Sequence, residues 1–214
     1  MNPPAPVPLL NIANILTMLR IVLVPVFVVL LVIDAEPSGA GALQPLEAGD
    51  GPWRWVAAAV FAVAMITDFI DGDLARKRNL ITDFGKIADP IADKLLVGAA
   101  LIMLSLLGEL WWWVTIVILV RELAITVLRM VMIRTQVMPA SRGGKLKTML
   151  QAGGLQLMLL PVALGLSEIA GLSIGELIYY AGFGLVLASA VVAVVTGIDY
   201  FIQAMRIRRA ANGN

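Results

Sequence analysis

Six long apolar stretches, separated by short segments that carry most of the charge, dominate this sequence. The hydrocarbon core of a bilayer is about 30 Å thick, so a helix rising ~1.5 Å per residue crosses it with about 20 apolar residues. Stretches that meet or approach this length are Ile12–Ile33, Trp53–Phe69, Ile91–Leu107, Leu110–Ile133, Leu150–Leu166 and Ile174–Met205. The second, third and fifth are short, so we expect helix beyond the lipid. Pro90 lies near the start of the third, where a first-turn position would tolerate it if the helix begins nearby. The sequence therefore predicts an all-α integral membrane protein of six transmembrane helices, in a single domain covering residues 1–214.

Composition narrows the available chemistry. Charged residues make up only 14% of the chain, whereas soluble domains contain about 25%. The alternating strands of a membrane barrel are not visible, and a net charge of +1 gives no reason to expect a nucleic-acid partner. The chain contains no cysteine and no histidine, which removes the thiolate ligands and the most common general base. Metal or acid–base chemistry would therefore depend on carboxylates, which favour Mg²⁺ or Mn²⁺.

Basic residues predict the orientation in the membrane, because short cytoplasmic loops retain Lys and Arg. Two alternate loops and the C-terminal tail are basic, whereas the other loops are acidic with Arg54 as their only basic residue. We therefore expect both termini in the cytoplasm of a cell bounded by this membrane. The Gly- and Pro-rich segment 34–52 is predicted to be a flexible external loop, and Trp111, Trp112 and Trp113 to belong to an interfacial aromatic belt.

Four aspartates at the facing ends of the second and third stretches form the main candidate site. Asp68 and Asp71 are three residues apart, and Asp89 and Asp93 are four apart, so each pair shares a helix face. Two antiparallel helices joined by a short connection can direct all four carboxylates into one gap on the cytoplasmic side. Their mutual repulsion would be relieved by one or two divalent cations.

Small and basic residues surround these aspartates. Gly72 and Gly85 permit close approach of a backbone or ligand, and Ala75 keeps the next turn narrow. Arg76 offers a planar guanidinium suited to phosphate oxygens. Asp73 and Asp83 are explained at least as well by a solvated loop, in which Asp83 would act as a helix N-cap.

The pattern Asp68-x2-Asp71-Gly72-x2-Ala75-Arg76-x8-Gly85-x3-Asp89-x3-Asp93 resembles the signature of the CDP-alcohol phosphatidyltransferase family at every specified position. The resemblance covers the whole chain, and it implies a six-helix membrane fold that is usually dimeric. It also implies a reaction in which an alcohol attacks the lipid-side phosphorus of a CDP-linked lipid and CMP leaves.

Roles for individual residues follow from the same resemblance. Asp68, Asp71 and Asp89 correspond to metal ligands, and the resemblance implies that two Mg²⁺ or Mn²⁺ ions are bound. Asp93 corresponds to the residue beside the metals that takes the proton of the attacking hydroxyl. Positions matching those that hold the nucleotide and its phosphates are Gly72, Arg76 and Thr82, with Asp68 and Gly85 beside them.

 The resemblance therefore implies a metal site formed by four carboxylates, those of Asp68, Asp71, Asp89 and Asp93.

Three further clusters resemble the branch of this family that uses glycerol 3-phosphate: Asn14-x-Leu16-Thr17-x2-Arg20 in the first predicted helix, Arg121-Glu122 in the fourth, and Gly144-Lys145-x-Lys147-Thr148 before the fifth. Such an acceptor needs a basic pocket for its phosphate, and the candidates are Arg121, Arg129, Lys145 and Lys147. An ion pair with Glu122 explains Arg121 equally well, and ordinary loop topology is the rival explanation for Lys145 and Lys147. Inositol phosphate is the nearest alternative acceptor, followed by serine and phosphatidylglycerol.

An ion-coupled transporter is a hypothesis from another class, since buried acids can serve as a coupling site. Transporters usually place such acids near the bilayer midplane on repeat-related broken helices. Here the acids lie at one predicted membrane face and the sequence has no internal repeat. A purely structural scaffold would not require the aspartate pattern. The sequence therefore favours an enzyme.

Overall fold

The computed structural model describes residues 11–37, 46–77, 83–132, 142–161, 168–169 and 172–212. Over these residues the chain forms six helices: α1 Ile12–Asp34, α2 Pro52–Lys77, α3 Asp83–Leu106, α4 Trp112–Met132, α5 Arg142–Met158 and α6 Ile174–Asn212. Two antiparallel two-stranded ladders accompany them: β1 Glu36–Pro37 with β2 Leu46–Glu47, and β3 Glu168–Ile169 with β4 Leu172–Ser173. The predicted helical architecture is confirmed.

Two helical stretches among the described residues are long and apolar enough to cross a membrane. They are Asn14–Asp34, with mean hydropathy 2.8, and Ile174–Gln203, with mean hydropathy 2.2. The first of these helices is capped at its start, because the Asn11 side chain accepts a hydrogen bond from the backbone N–H of Asn14 at 2.9 Å.

Helix boundaries correct two details of the sequence prediction. As expected, α2 and α3 extend beyond their apolar stretches, but α3 begins at Asp83, so Pro90 lies inside the helix and not in its first turn. The fifth helix begins before Leu150 and ends at Met158, short of the predicted Leu166. Pro161 lies just beyond this end, and proline lacks the N–H that would continue a helix.

The core consists of apolar side chains from the middle of the bundle. Phe27 of α1 and Phe61 of α2 are buried with ring centroids 5.6 Å apart, and Leu96, Ile118 and Leu155 extend the core across α3, α4 and α5. Helices α1 and α2 pack closely, and α5 packs mainly against α6. This packing fixes the ends of the helices relative to one another.

Glycines bring α5 and α6 into close contact. A Cβ atom added at Gly154 would lie 2.8 Å from the carbonyl oxygen of Gly182, and one at Gly182 would lie 2.8 Å from the carbonyl oxygen of Gly154. These distances are too short for any side chain, so the two backbones touch only because both positions are glycine.

A buried arginine joins two helices and a turn at the end of the bundle remote from the aspartates. Arg54 of α2 lies 2.6 Å from Glu109, in the turn between α3 and α4, and donates to the Met158 carbonyl at the end of α5 at 2.9 Å. Burial raises the pKa of Glu109 above its ordinary value, although Arg54 acts in the opposite direction. The sequence identified Arg54 only as an isolated basic residue among acidic loops.

The described ends of segment 34–52 pack against α1. A Cβ atom at Gly49 would lie 2.0 Å from the carbonyl oxygen of Asp34, so the chain passes the end of α1 with no room for a side chain. Flexibility of the intervening residues stays a prediction.

Candidate active site

Asp68 of α2 and Asp93 of α3 lie close together at one end of the bundle. Both side chains are partly buried, and the charge of Asp93 interacts with those of Asp68, Arg20, Glu122 and Lys147. Asp71 lies one turn beyond Asp68 and Asp89 one turn before Asp93, because the backbone is helical at all four positions. The side chains of Asp71 and Asp89 lie outside the described part of the structure.

Arg20 of α1 holds Asp68 in place. Its Nη1 lies 2.6 Å from Asp68 Oδ1, and its Nε donates to the Ala64 carbonyl at 3.3 Å. Asn14, Thr17 and Arg20 recur every three residues and are all buried, so the motif noted in the sequence forms a polar stripe inside the bundle. Burying such groups in an apolar protein is costly, which supports a functional reason for the stripe.

Glu122 of α4 joins two basic residues. Its Oε1 accepts from Arg121 Nη1 at 3.0 Å and also from Lys147 Nζ of α5. Arg121 is held further by α6, since its Nε donates to the Ala193 carbonyl at 3.0 Å and its Nη2 to Thr196 Oγ1 at 2.8 Å. The ion pair that the sequence offered as one explanation of Arg121 is therefore present.

A cavity of about 350 Å³ opens beside this cluster, between α3, α4 and α5. Asp93, Glu122 and Lys147 contribute its charged lining, while Leu95, Leu101, Ile118 and Leu119 contribute apolar wall. Lys94 also lines the cavity and donates to Thr126 of α4. A partly polar cavity that contains both a carboxylate and an ammonium group suits a small anionic ligand with a hydroxyl group.

The predicted site residues divide into two groups. Five whose side chains are described come together near one end of the bundle: Arg20, Asp68, Asp93, Arg121 and Lys147. Asn14 and Thr17 are buried on the same helix as Arg20. The others have side chains outside the described residues: Asp71, Gly72, Asp73, Ala75, Arg76, Thr82, Asp83, Gly85, Asp89, Arg129 and Lys145. Within the described residues, no group of three or more acidic side chains forms a metal cluster.

Sequence reasoning missed Gln151, which is buried and lines the cavity one turn from Lys147. It also left Glu122 without a role of its own beyond pairing with Arg121. An acidic residue within an apolar stretch was the available signal for Glu122. Gln151 offered none, because a single glutamine at the start of an apolar stretch is common.

Comparison with known proteins adds independent information. The sequence profile described as CDP-alcohol phosphatidyltransferase matches residues 10–196. A probable phosphatidylglycerophosphate synthase of Mycobacterium tuberculosis is 46% identical over 196 residues, which cover 92% of this chain and 82% of that protein.

Two further relatives have similar names. The CDP-diacylglycerol–glycerol-3-phosphate 3-phosphatidyltransferase of Bacillus subtilis is 36% identical over 206 residues, covering 94% of this chain and 99% of that protein. The protein with the same name from Rickettsia typhi is 36% identical over 192 residues, covering 89% and 95%.

Proposed function

This chain belongs to the CDP-alcohol phosphatidyltransferase family, and we propose that it transfers the phosphatidyl group of CDP-diacylglycerol to glycerol 3-phosphate. The products would be phosphatidylglycerophosphate and CMP. The names of the relatives support this acceptor. The single observation that carries the proposal is the position of Asp93, which is close to Asp68 and lines the same cavity as Lys147.

Divalent metal ions are generally used by this family, and the described residues fit such a site in their chemistry. Asp68 and Asp93 offer carboxylate oxygens from facing helices, as hard cations require. We propose that Asp68, Asp71, Asp89 and Asp93 hold the ions, with two Mg²⁺ or Mn²⁺ as the expected complement. When bound, these ions would neutralise charge on the pyrophosphate and on the leaving CMP.

Asp93 would act as the base. The acceptor hydroxyl oxygen forms a bond to the lipid-side phosphorus, the bond from that phosphorus to the CMP oxygen breaks, and the hydroxyl proton passes to the Asp93 carboxylate. Arg20 would keep Asp68 oriented through their ion pair. Gly72, Arg76, Thr82 and Gly85 would hold the nucleotide end of the lipid.

Lys147 is the strongest candidate for binding the acceptor phosphate. It lines the cavity with Asp93, and Glu122 fixes its ammonium group. Arg121 has all three nitrogens engaged by Glu122, Ala193 and Thr196, so it is better placed to support the pocket than to contact the substrate. Lys145 and Arg129 would add positive charge nearby.

The apolar helices and the family support a membrane protein. Within that coarser statement, we propose six membrane spans in a single domain, both termini in the cytoplasm, and a site that opens to the cytoplasmic side of the cell membrane. Alternating basic and acidic loops support this topology. We also propose a homodimer, which is the usual state in the family.

The test is an assay of purified protein in detergent with CDP-diacylglycerol and a panel of acceptors. Glycerol 3-phosphate should give phosphatidylglycerophosphate and CMP, identified by mass. Preference for inositol phosphate, serine or phosphatidylglycerol would change the acceptor but not the chemistry. If none of the acceptors leads to release of CMP, the result would contradict the proposal and favour the transporter hypothesis.

A further inference from the structure

Gln151 has a buried amide group with an unused donor. The residue is only 3% exposed, and its Nε2 has no hydrogen-bond partner among the residues that the structure describes. Leaving a buried donor unsatisfied costs about 1–3 kcal/mol. Such a group in a native protein needs an explanation, and a bound ligand is one.

The position of Gln151 indicates where such a ligand would lie. Gln151 lines the same cavity as Asp93, Glu122 and Lys147. It follows Lys147 by four residues on α5, so the two side chains share a helix face. Both are almost fully buried, and the cavity that both line is the open space beside them.

The donors define the chemistry of the ligand. An ammonium group and an amide N–H are both hydrogen-bond donors, so they select a ligand rich in oxygen acceptors. Asp93 on the other side of the cavity requires a hydroxyl group that can give up a proton. A small phosphorylated alcohol carries both features.

We propose that Gln151 is a specificity-determining residue that donates a hydrogen bond from Nε2 to an oxygen of the acceptor alcohol while Lys147 binds its phosphate. This inference rests on the proposed function, because the acceptor is taken to be glycerol 3-phosphate. It assigns the α5 side of the cavity to the acceptor. An ester carbonyl of the CDP-linked lipid is the competing source of an acceptor oxygen.

Two substitutions test the donor. Gln151→Met keeps the length of the side chain and removes the amide, while Gln151→Glu keeps its shape and adds a negative charge. For Gln151→Met we expect the KM for glycerol 3-phosphate to rise about tenfold, as for the loss of one hydrogen bond. The rise should be larger for Gln151→Glu, because its carboxylate also repels the phosphate. The KM for CDP-diacylglycerol should stay within about twofold for both variants.

Gln156 provides the matched control on the same helix. Its Nε2 already donates to the Ala58 carbonyl at 3.2 Å, so Gln156→Met removes a structural hydrogen bond of an identical side chain. We expect lower thermal stability and unchanged KM values for both substrates. A rise in acceptor KM for Gln156→Met as large as that for Gln151→Met would overturn the assignment.

A double-mutant cycle with Lys147→Ala tests whether the two residues bind one ligand. The combined change in acceptor KM should differ from the product of the separate changes, because both donors contact the same molecule. A rise confined to the KM for CDP-diacylglycerol would place the lipid carbonyl at Gln151 and refute the proposal. Unchanged KM values would refute it as well. If the wild-type protein makes no product from glycerol 3-phosphate, the proposed function fails first, and this inference fails with it.

Discussion

Arg20 and Asp68 form an ion pair of 2.6 Å in which the arginine side chain is fully buried and the aspartate side chain is 35% exposed. The arginine is therefore committed to the protein interior, while the aspartate keeps an open side toward the candidate active site. A carboxylate held in this way has a fixed orientation without losing access to a ligand.

Replacing Arg20 by methionine should release Asp68 while preserving apolar bulk. We expect turnover to fall by about a hundredfold, which is the scale of misplacing a reacting group by ~1 Å. Arg20→Lys keeps the charge without the planar guanidinium, so its turnover should lie between that of the wild type and that of Arg20→Met. Steady-state rates on folded, purified protein provide the measurement, and normal turnover of Arg20→Met would contradict the role of the pair.

Asp93→Asn should leave folding intact and lower turnover by orders of magnitude, because the amide cannot accept the proton of the attacking hydroxyl. Asp199→Asn is the matched control, since Asp199 is exposed on α6 and accepts a hydrogen bond from Gln203 Nε2, four residues away on the same helix, at 2.9 Å. We expect the control to retain full turnover. Comparable activity in both variants would remove Asp93 from the mechanism.

Chelation tests the proposed ions. Treatment with EDTA should abolish CMP release, and Mg²⁺ or Mn²⁺ should restore it. Without the ions the four carboxylates would repel one another, so the chelated protein should also unfold at a lower temperature. Product formation that persists in EDTA would exclude a metal requirement.

Arg54→Met should destabilise the protein without affecting the chemistry. Breaking a buried ion pair costs about 3–5 kcal/mol when one charge is left behind. Burial already raises the pKa of Glu109, and loss of Arg54 should raise it further. A raised pKa in the folded state favours the protonated form, so the variant should regain stability as the pH falls from neutral to acidic. Thermal unfolding at neutral and at acidic pH measures this recovery of stability. At neutral pH, the double variant Arg54→Met/Glu109→Gln should lose less stability than Arg54→Met alone.

Adjacent glycines in α5 offer a paired test of helix packing. Gly154→Ala should destabilise the protein by about 1–3 kcal/mol, since the new Cβ would overlap the backbone of α6. Gly153→Ala meets nothing within 4 Å and should be neutral or slightly stabilising. Equal unfolding temperatures for the two variants would show that the helices can separate at no cost.

Local pattern was sufficient to predict much of this fold. Apolar stretches located the helices, and the spacing of Asp68 and Asp93 from the intervening loop predicted that they would meet. The end of α5 was wrong because an apolar stretch continued past Pro161, and hydropathy does not register the missing N–H of proline.

Contacts between distant residues could not be predicted in this way. Arg54 binds Glu109 and Met158, which are 55 and 104 residues away along the chain. Likewise, the unused amide N–H of Gln151 became visible only when its surroundings in the cavity were known. Such partners depend on the packing of whole helices, and no local pattern encodes them.

The contacts from α6 to Arg121 have a consequence for biosynthesis. Ala193 and Thr196 lie 72 and 75 residues after Arg121, yet they fix the arginine that steadies Glu122 and, through it, Lys147. A nascent chain that has emerged from the ribosome only as far as α5 would lack this support. The enzyme would therefore acquire its finished pocket only after α6 has been translated and has packed against α4.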